Sequence, residues 1–282
     1  MTKGALLIAR NNGELDYAKQ AVFLAKRIKQ HLNIPTSVIT DSVDYINGSL
    51  EHTVFDEIIA IDYNTDDNNT RKYYDGTLAS KTLNFKNNYR INAYDLSPYD
   101  ETLLLDTDYI ISNDLFKSCF ESASDLQMFS KSQDVANIRD SREFTHISEY
   151  SVDFYWATVV FFRKTSNNEL FFNLVKHIQD NWSHYVSVYQ LSSSLFRNDF
   201  AFSIAIHILN GFMTGDYVSP LPGKHMYTTD KDILWKLADD NFTFLVEKKD
   251  YVGEYTAVKT QGQSIHVMNK FSLERIINDE QN

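Results

Sequence analysis

The chain has a single cysteine, Cys119, in 282 residues. One thiol excludes an intramolecular disulfide and any cysteine-based zinc site. Four prolines and 9 glycines exclude a collagenous or Pro/Gly linker composition. No run approaches the roughly 18 apolar residues of a membrane span. The apolar stretch in "MTKGALLIARNNGELD" is too short for a signal peptide and soon meets acids, so a soluble, intracellular protein is expected, cytoplasmic in location. Positive charge is also scarce. Lys and Arg total 27 against 38 Asp and Glu, a formal charge of −11, which weighs against broad phosphate-driven binding of nucleic acid but leaves room for a local basic groove.

What is present is enough apolar material for a large core. Hydrophobic residues make up 43%, with 17 Tyr and 19 Phe. "GALLIA" (4–9) has the continuous apolar character of a buried strand. "YAKQAVFLAKRIKQHL" (17–32) repeats Ala18, Ala21, Val22, Ala25, Ile28 and Leu32 at helical spacing. "PTSVITDS" (35–42) and "EIIAID" (57–62) continue as strands. This opening predicts an α/β fold with a mostly parallel sheet, its ligand site along the carboxyl ends of the strands. Residues 63–77 read as a long polar loop, mobile over that site, and 83–96 as a helix. "ISNDLFKSCFES" reads as helical, with Cys119 in the core. A β-forming run at 154–164 follows, then helices at 167–182 and 198–209, a short strand at 264–269 and a terminal helix. No repeat or linker interrupts the chain, so one domain with peripheral additions is expected.

The stretch that carries chemistry is "ETLLLDTDYIISND" (101–114), in which an apolar strand runs into Asp106 and Asp108. Two like charges at that spacing repel, so a positive group belongs beside them. Carboxylates at a sheet's carboxyl edge suit Mg²⁺ or Mn²⁺ shared with substrate phosphates. A surface Asp-x-Asp pair is common, but a buried strand ending in two acids is not.

The arrangement resembles a GT-A nucleotide-sugar glycosyltransferase, most similar to the glycogenin and galactosyltransferase-like group (family 8). The matching residues are the turn Ala9, Arg10, Asn11 and Asn12, the pair Asp106 and Asp108, and "SIHVMNKFSL" with His266 and Lys270. The resemblance spans roughly 3 to 275, though only these islands are specific. It implies a single Rossmann-like GT-A domain with a nucleotide-binding half (1–110) and an acceptor-side half (111–282). It also implies a metal held by Asp106, Asp108 and His266, and a UDP-sugar donor contacted by Ala9, Arg10, Asn11, Thr40, Asp41, Thr107 and Lys270. Arg90 is expected to reach the donor sugar, with Lys86 on the same helix face, and Asn198 and Asp199 to act at the reaction centre. Without the resemblance, Arg90 and Lys86 read as solvated helix cations, His266 as a core imidazole, and Asn198 and Asp199 as helix caps. The group's glycine and Lys-Pro-Trp run after the histidine is replaced here by Asn269, Lys270, Phe271 and Ser272.

Transfer with retention is implied, to an acceptor left open among a surface glycan, a protein and a hydroxylated nucleobase in DNA, the last in a bacteriophage setting and a host cytoplasm. Three other readings compete. A haloacid-dehalogenase-type phosphatase carries its Asp-x-Asp near the N-terminus, unlike Asp106. A nucleotidyltransferase has a Gly-rich loop after its first strand, where "ARNNGELD" has one glycine. A non-catalytic sugar-nucleotide or glycan-binding relative is separated only by assay.

Overall fold

A computed structural model describes residues 1–61, 69–86, 88–137, 139, 144–148, 152–248 and 250–280. Its largest sheet has seven strands, in the order Ser219–Pro220, Leu126–Phe129, Trp156–Arg163, Glu101–Leu105, Lys3–Ala9, Thr36–Thr40 and Glu57–Ala60. The last four in that order run parallel to one another, and Trp156–Arg163 runs antiparallel to its two neighbours. The fold is therefore mixed α/β with a mostly parallel central sheet and helices packed against it, as the apolar strands imply. The helix Tyr17–His31 lies on the first strand, its N-terminus capped by Asp16, which accepts from the Lys19 amide at 3.0 Å. Close approach at Gly4 lets the Tyr99 ring sit where a Cβ would be, and the Tyr99 hydroxyl pairs with Ser37 Oγ at 2.7 Å.

Register aligns the functional edge. Leu105 pairs with Leu7 on one side and Val159 on the other, so Asp106 emerges beside the start of Trp156–Arg163 and its amide donates to the Thr158 carbonyl at 2.9 Å. A second sheet, ordered Tyr109–Ile110, Ile265–His266, His225–Tyr227 and Ser132–Asp134, is built directly after the acidic pair. Within it His266 faces Tyr109 across an antiparallel pair, and the Val267 amide donates to the Asp108 carbonyl at 2.9 Å. This brings the distant end of the chain to the edge that carries the acidic pair. Behind it lies a three-stranded meander, Ile233–Ala238, Asn241–Lys248 and Tyr251–Gln261. Its Leu234, Phe242, Phe244 and Val246 form a separate core cluster with Ile265, Val267, Leu273 and Ile277, which seats the terminal helix Lys270–Glu280.

Several expectations need correction. Of the expected loop 63–77, residues 63–68 lie outside the described residues; the remainder starts a hairpin, Thr70–Asp75 with Ala79–Asn84. Asp75–Gly76 is a hairpin-turn signal, and Gly76 takes a φ of +81°. The hairpin is tied down, since Asp75 forms a two-point ion pair with Arg275 and the Thr77 amide donates to the Tyr255 hydroxyl at 2.9 Å. The expected helix at 83–96 is instead a strand end, a 3-10 turn Asn88–Asn92 and the short helix Ala93–Leu96; Asn87 is outside the described residues. The helix of 111–122 shrinks to Lys117–Glu121, with Cys119 fully buried as expected, and the strand at 264–269 shrinks to Ile265–His266. No helix among the described residues is long and apolar enough to cross a membrane.

Candidate metal and anion site

Asp106 and Asp108 leave the strand Glu101–Leu105 at the sheet's carboxyl edge and are answered by separate cations. Arg90, buried in its 3-10 turn, donates from Nη1 to Asp106 Oδ1 at 2.7 Å and from Nη2 to the Thr158 carbonyl at 3.0 Å. Asp108 Oδ2 lies 3.1 Å from His266 Nε2 and accepts a hydrogen bond from the Lys270 ammonium. One ligand atom from each of Asp106, Asp108 and His266 falls within 4.8 Å of the others. Two hard carboxylates and one imidazole at that spacing fit a divalent cation such as Mn²⁺ or Mg²⁺. The positive groups demanded by the repelling pair are thus Arg90 and Lys270, with His266 beside Asp108.

The net shifts of the two acids nevertheless run in opposite directions. Burial opposes ionisation of Asp108, yet Lys270 and His266 hold its carboxyl well below the usual carboxylate range. Asp106 keeps 38% of its side chain exposed. The cavity walls still withdraw enough water to push its carboxyl upward, against the pull of Arg90 and with repulsion from Asp108 adding to the rise.

These groups open into a cavity of about 480 Å³. Of the residues anticipated from sequence, Arg10, Arg90, Asp106, Thr107, Asp108, Asn198, Asp199, His266 and Lys270 line it. Ala9, Asn11, Thr40 and Asp41 are not in its lining. Ala9 and Thr40 are fully buried, and Thr40 Oγ1 accepts from the Ser42 amide at 3.0 Å. Asn11 spends its amide on Asp16 and on the Ala18 N–H. Asp41 sits behind the wall as a shared counterion, 3.2 Å from both Arg10 Nε and Lys86 Nζ. Lys86 therefore does not share a helix face with Arg90; it reaches Asp41 and the Asn11 carbonyl. Asp199, in the first turn of helix Asn198–Leu209, is fixed by the Ala157 amide and by Arg197, each at 2.9 Å.

Sequence reasoning passed over Tyr17, Arg71, Trp156 and Arg197, all lining residues. Arg71 comes from the hairpin strand Thr70–Asp75, and no local pattern singles it out. Arg197 directly precedes the Asn198–Asp199 pair and was within reach. With these added, the walls carry Arg10, Arg71, Lys86, Arg90, Arg197 and Lys270 against Asp106, Asp108 and Asp199. A cation excess concentrated in one cleft of a chain with a charge of −11 marks an anion site.

No family model and no curated protein matches the chain. Solved structures do. The glycosyltransferase GlyE of Streptococcus pneumoniae TIGR4 aligns with 78% of this chain at 15% identity and a TM-score of 0.41. The chain spans 45% of GlyE's length. The galactosyltransferase LgtC, solved with donor and acceptor sugar analogues, aligns with 72% of this chain and 70% of its own at 14% identity and a TM-score of 0.42. At this level the likeness carries no conclusion about activity.

Proposed function

We propose that the chain is a metal-dependent glycosyltransferase that moves a sugar from a nucleoside diphosphate sugar, a UDP-sugar, to a hydroxyl acceptor. The observation that carries this reading is the convergence of Asp106, Asp108 and His266 within 4.8 Å in the wall of a cation-lined cavity. Asp106, Asp108 and His266 would hold Mn²⁺ or Mg²⁺, which supplies positive charge where the leaving diphosphate develops its own. Lys270, already beside Asp108, is placed to turn to the diphosphate and offset its charge. Arg10 and Lys86, sharing one carboxylate, leave a net positive charge at the nucleotide end, with Thr40, Asp41 and Asn11 shaping that wall from behind. Arg90 reaches the donor sugar. Both oxygens of Asp199 are engaged in the metal-free arrangement, so it acts with Asn198 by orienting the sugar at the reaction centre. The cavity walls limit water around the transferred sugar.

The chain acts in this reading as one domain, with transfer by retention. The acceptor is a glycan, a protein or a modified nucleobase; the bacteriophage setting and host cytoplasm extend the same reading. The deciding experiment is a donor screen that follows slow hydrolysis of UDP-, GDP-, ADP- and dTDP-sugars with Mn²⁺ and with chelator. Release of UDP that needs metal and is lost in Asp108→Asn supports the reading. Tight binding without turnover would identify a binding relative instead, and neither binding nor turnover with any donor would refute it.

A further inference from the structure

One cation of the cavity stands apart from the others. Arg10 and Lys86 share Asp41, Arg90 holds Asp106, Arg197 holds Asp199 and Lys270 holds Asp108. Arg71 makes no ion pair and no hydrogen bond among the described residues. Its guanidinium lies instead over two rings, 5.5 Å from the centroid of Phe85 and 5.6 Å from that of Tyr73. Stacking of this kind holds the planar fork while using none of its N–H donors. That leaves them for two-point recognition of a phosphate or carboxylate in the cavity.

The hairpin strand explains how Arg71 is placed. In "TRKYYD" (70–75) alternate side chains share a face, so Arg71 goes with Tyr73 and Asp75. Tyr73 is buried, and its hydroxyl lies 3.4 Å from that of Tyr17, another lining residue. Asp75 accepts from both Nη atoms of Arg275, at 2.7 and 2.9 Å. Arg275 belongs to the helix Lys270–Glu280, and the ring of Phe271 in that helix has the Lys81 ammonium of the second hairpin strand 5.9 Å from its centroid. Hairpin and helix are therefore joined at two places, and each gives the cavity one cation, Arg71 and Lys270. The two bear on a common acid: burial pushes the Asp230 carboxyl upward, against the pull of Arg71 and Lys270. An anion beside Lys270 thus also feels Arg71, which favours the donor's diphosphate over a more distant group as the occupant.

We propose that Arg71 and Lys270 form a two-cation clamp on the donor's diphosphate, with the Asp75–Arg275 pair as the brace that positions Arg71 against the helix carrying Lys270. Arg71 supplies a fixed, forked pair of donors, and Lys270 a charge that becomes free when it leaves Asp108. This inference rests on the nucleoside diphosphate sugar reading proposed above and adds the hairpin to its phosphate site.

The test is calorimetry on wild type, Arg71→Met, Arg71→Lys, Arg275→Met and the double variant Arg71→Met/Arg275→Met. Three titrations are compared: Mn²⁺ alone, inorganic pyrophosphate with Mg²⁺, and UDP with Mn²⁺. Arg71→Met is expected to bind pyrophosphate and UDP about tenfold or more weakly, with its affinity for Mn²⁺ alone unchanged. Arg71→Lys should fall between it and wild type. Arg275→Met lies outside the cavity lining and should lose less, with no further loss when added to Arg71→Met, because the brace acts only through that guanidinium. Wild-type affinity for both ligands in folded Arg71→Met would overturn the clamp, as would an equal loss for Mn²⁺ alone, which would mean a structural role. Should Arg71→Met not fold, wild-type affinity in both Arg71→Lys and Arg275→Met would overturn it. Additive losses in the double variant would remove the brace. If the wild type bound neither pyrophosphate nor UDP, the donor reading itself would fall and the clamp with it.

Discussion

The ammonium of Lys270 and Nε2 of His266 converge on the same oxygen of Asp108. In the proposed metal site a divalent cation would need that oxygen, so Lys270 would compete with metal until a phosphate drew it away. Lys270→Met should therefore bind Mn²⁺ alone more tightly than wild type, while a nucleoside diphosphate with Mn²⁺ binds more weakly and turnover drops by about tenfold or more. Calorimetry with metal alone and then with UDP separates the two effects. Weaker binding of metal alone would show that Lys270 supports the ion instead.

The two aspartates should differ in stability. Asp108→Asn removes the counterion of Lys270 and should lower metal-free stability by about 3 kcal/mol, in the range for breaking a buried pair. Asp106→Asn leaves Arg90 its bond to the Thr158 carbonyl and relieves repulsion on Asp108, so the loss should be smaller. Both should abolish Mn²⁺-dependent UDP binding. Urea unfolding and calorimetry check this; equal destabilisation would argue against the pairing.

Burial pushes the Cys119 thiol up to about 12. In the unfolded chain a thiol ionises near 8.5, so the unfolded state loses a proton first as the solution turns alkaline. Any stability tied to Cys119 is thus complete below about pH 8.5 and declines as pH rises from there toward 12. The stability gap between wild type and Cys119→Ala should narrow between pH 8 and pH 10. Folded protein at pH 9 should also resist iodoacetamide, with labelling only after denaturation; rapid labelling of native protein would contradict the burial.

A Cβ at Gly4 would lie 2.4 Å from the Tyr99 ring. Gly4→Ala should destabilise by about 1–3 kcal/mol through overpacking. The penalty should shrink on a Tyr99→Leu background, where the ring is gone. A full penalty there would place the strain in the strand instead.

The central sheet was legible because its strands are apolar on both faces and bounded by polar turns, as "GALLIA" and "TLLLDTD" show. Helices 17–31 and 198–209 declared themselves similarly through an apolar stripe and a continuous apolar run. The pairing of Asp106 and Asp108 with His266 and Lys270 was legible only as a resemblance, since nothing local fixes contacts across 158 and 162 positions. The meander and the hairpin escaped. Tyr251–Gln261 and Ala79–Asn84 are largely exposed and show no clear alternation, whereas Asn241–Lys248 alternates and buries Phe242, Phe244 and Val246. A residue with no motif, such as Arg71, became visible only once the topology had brought it to the cavity.

The two-residue strand Ile265–His266 and the residues just after it supply the partners of Asp108 late in the chain. A polypeptide halted before His266 still contains every strand of the seven-stranded sheet, yet it lacks His266, Lys270 and the helix packed on the meander. Such a fragment would keep Arg90 on Asp106 but leave Asp108 without its histidine and lysine partners.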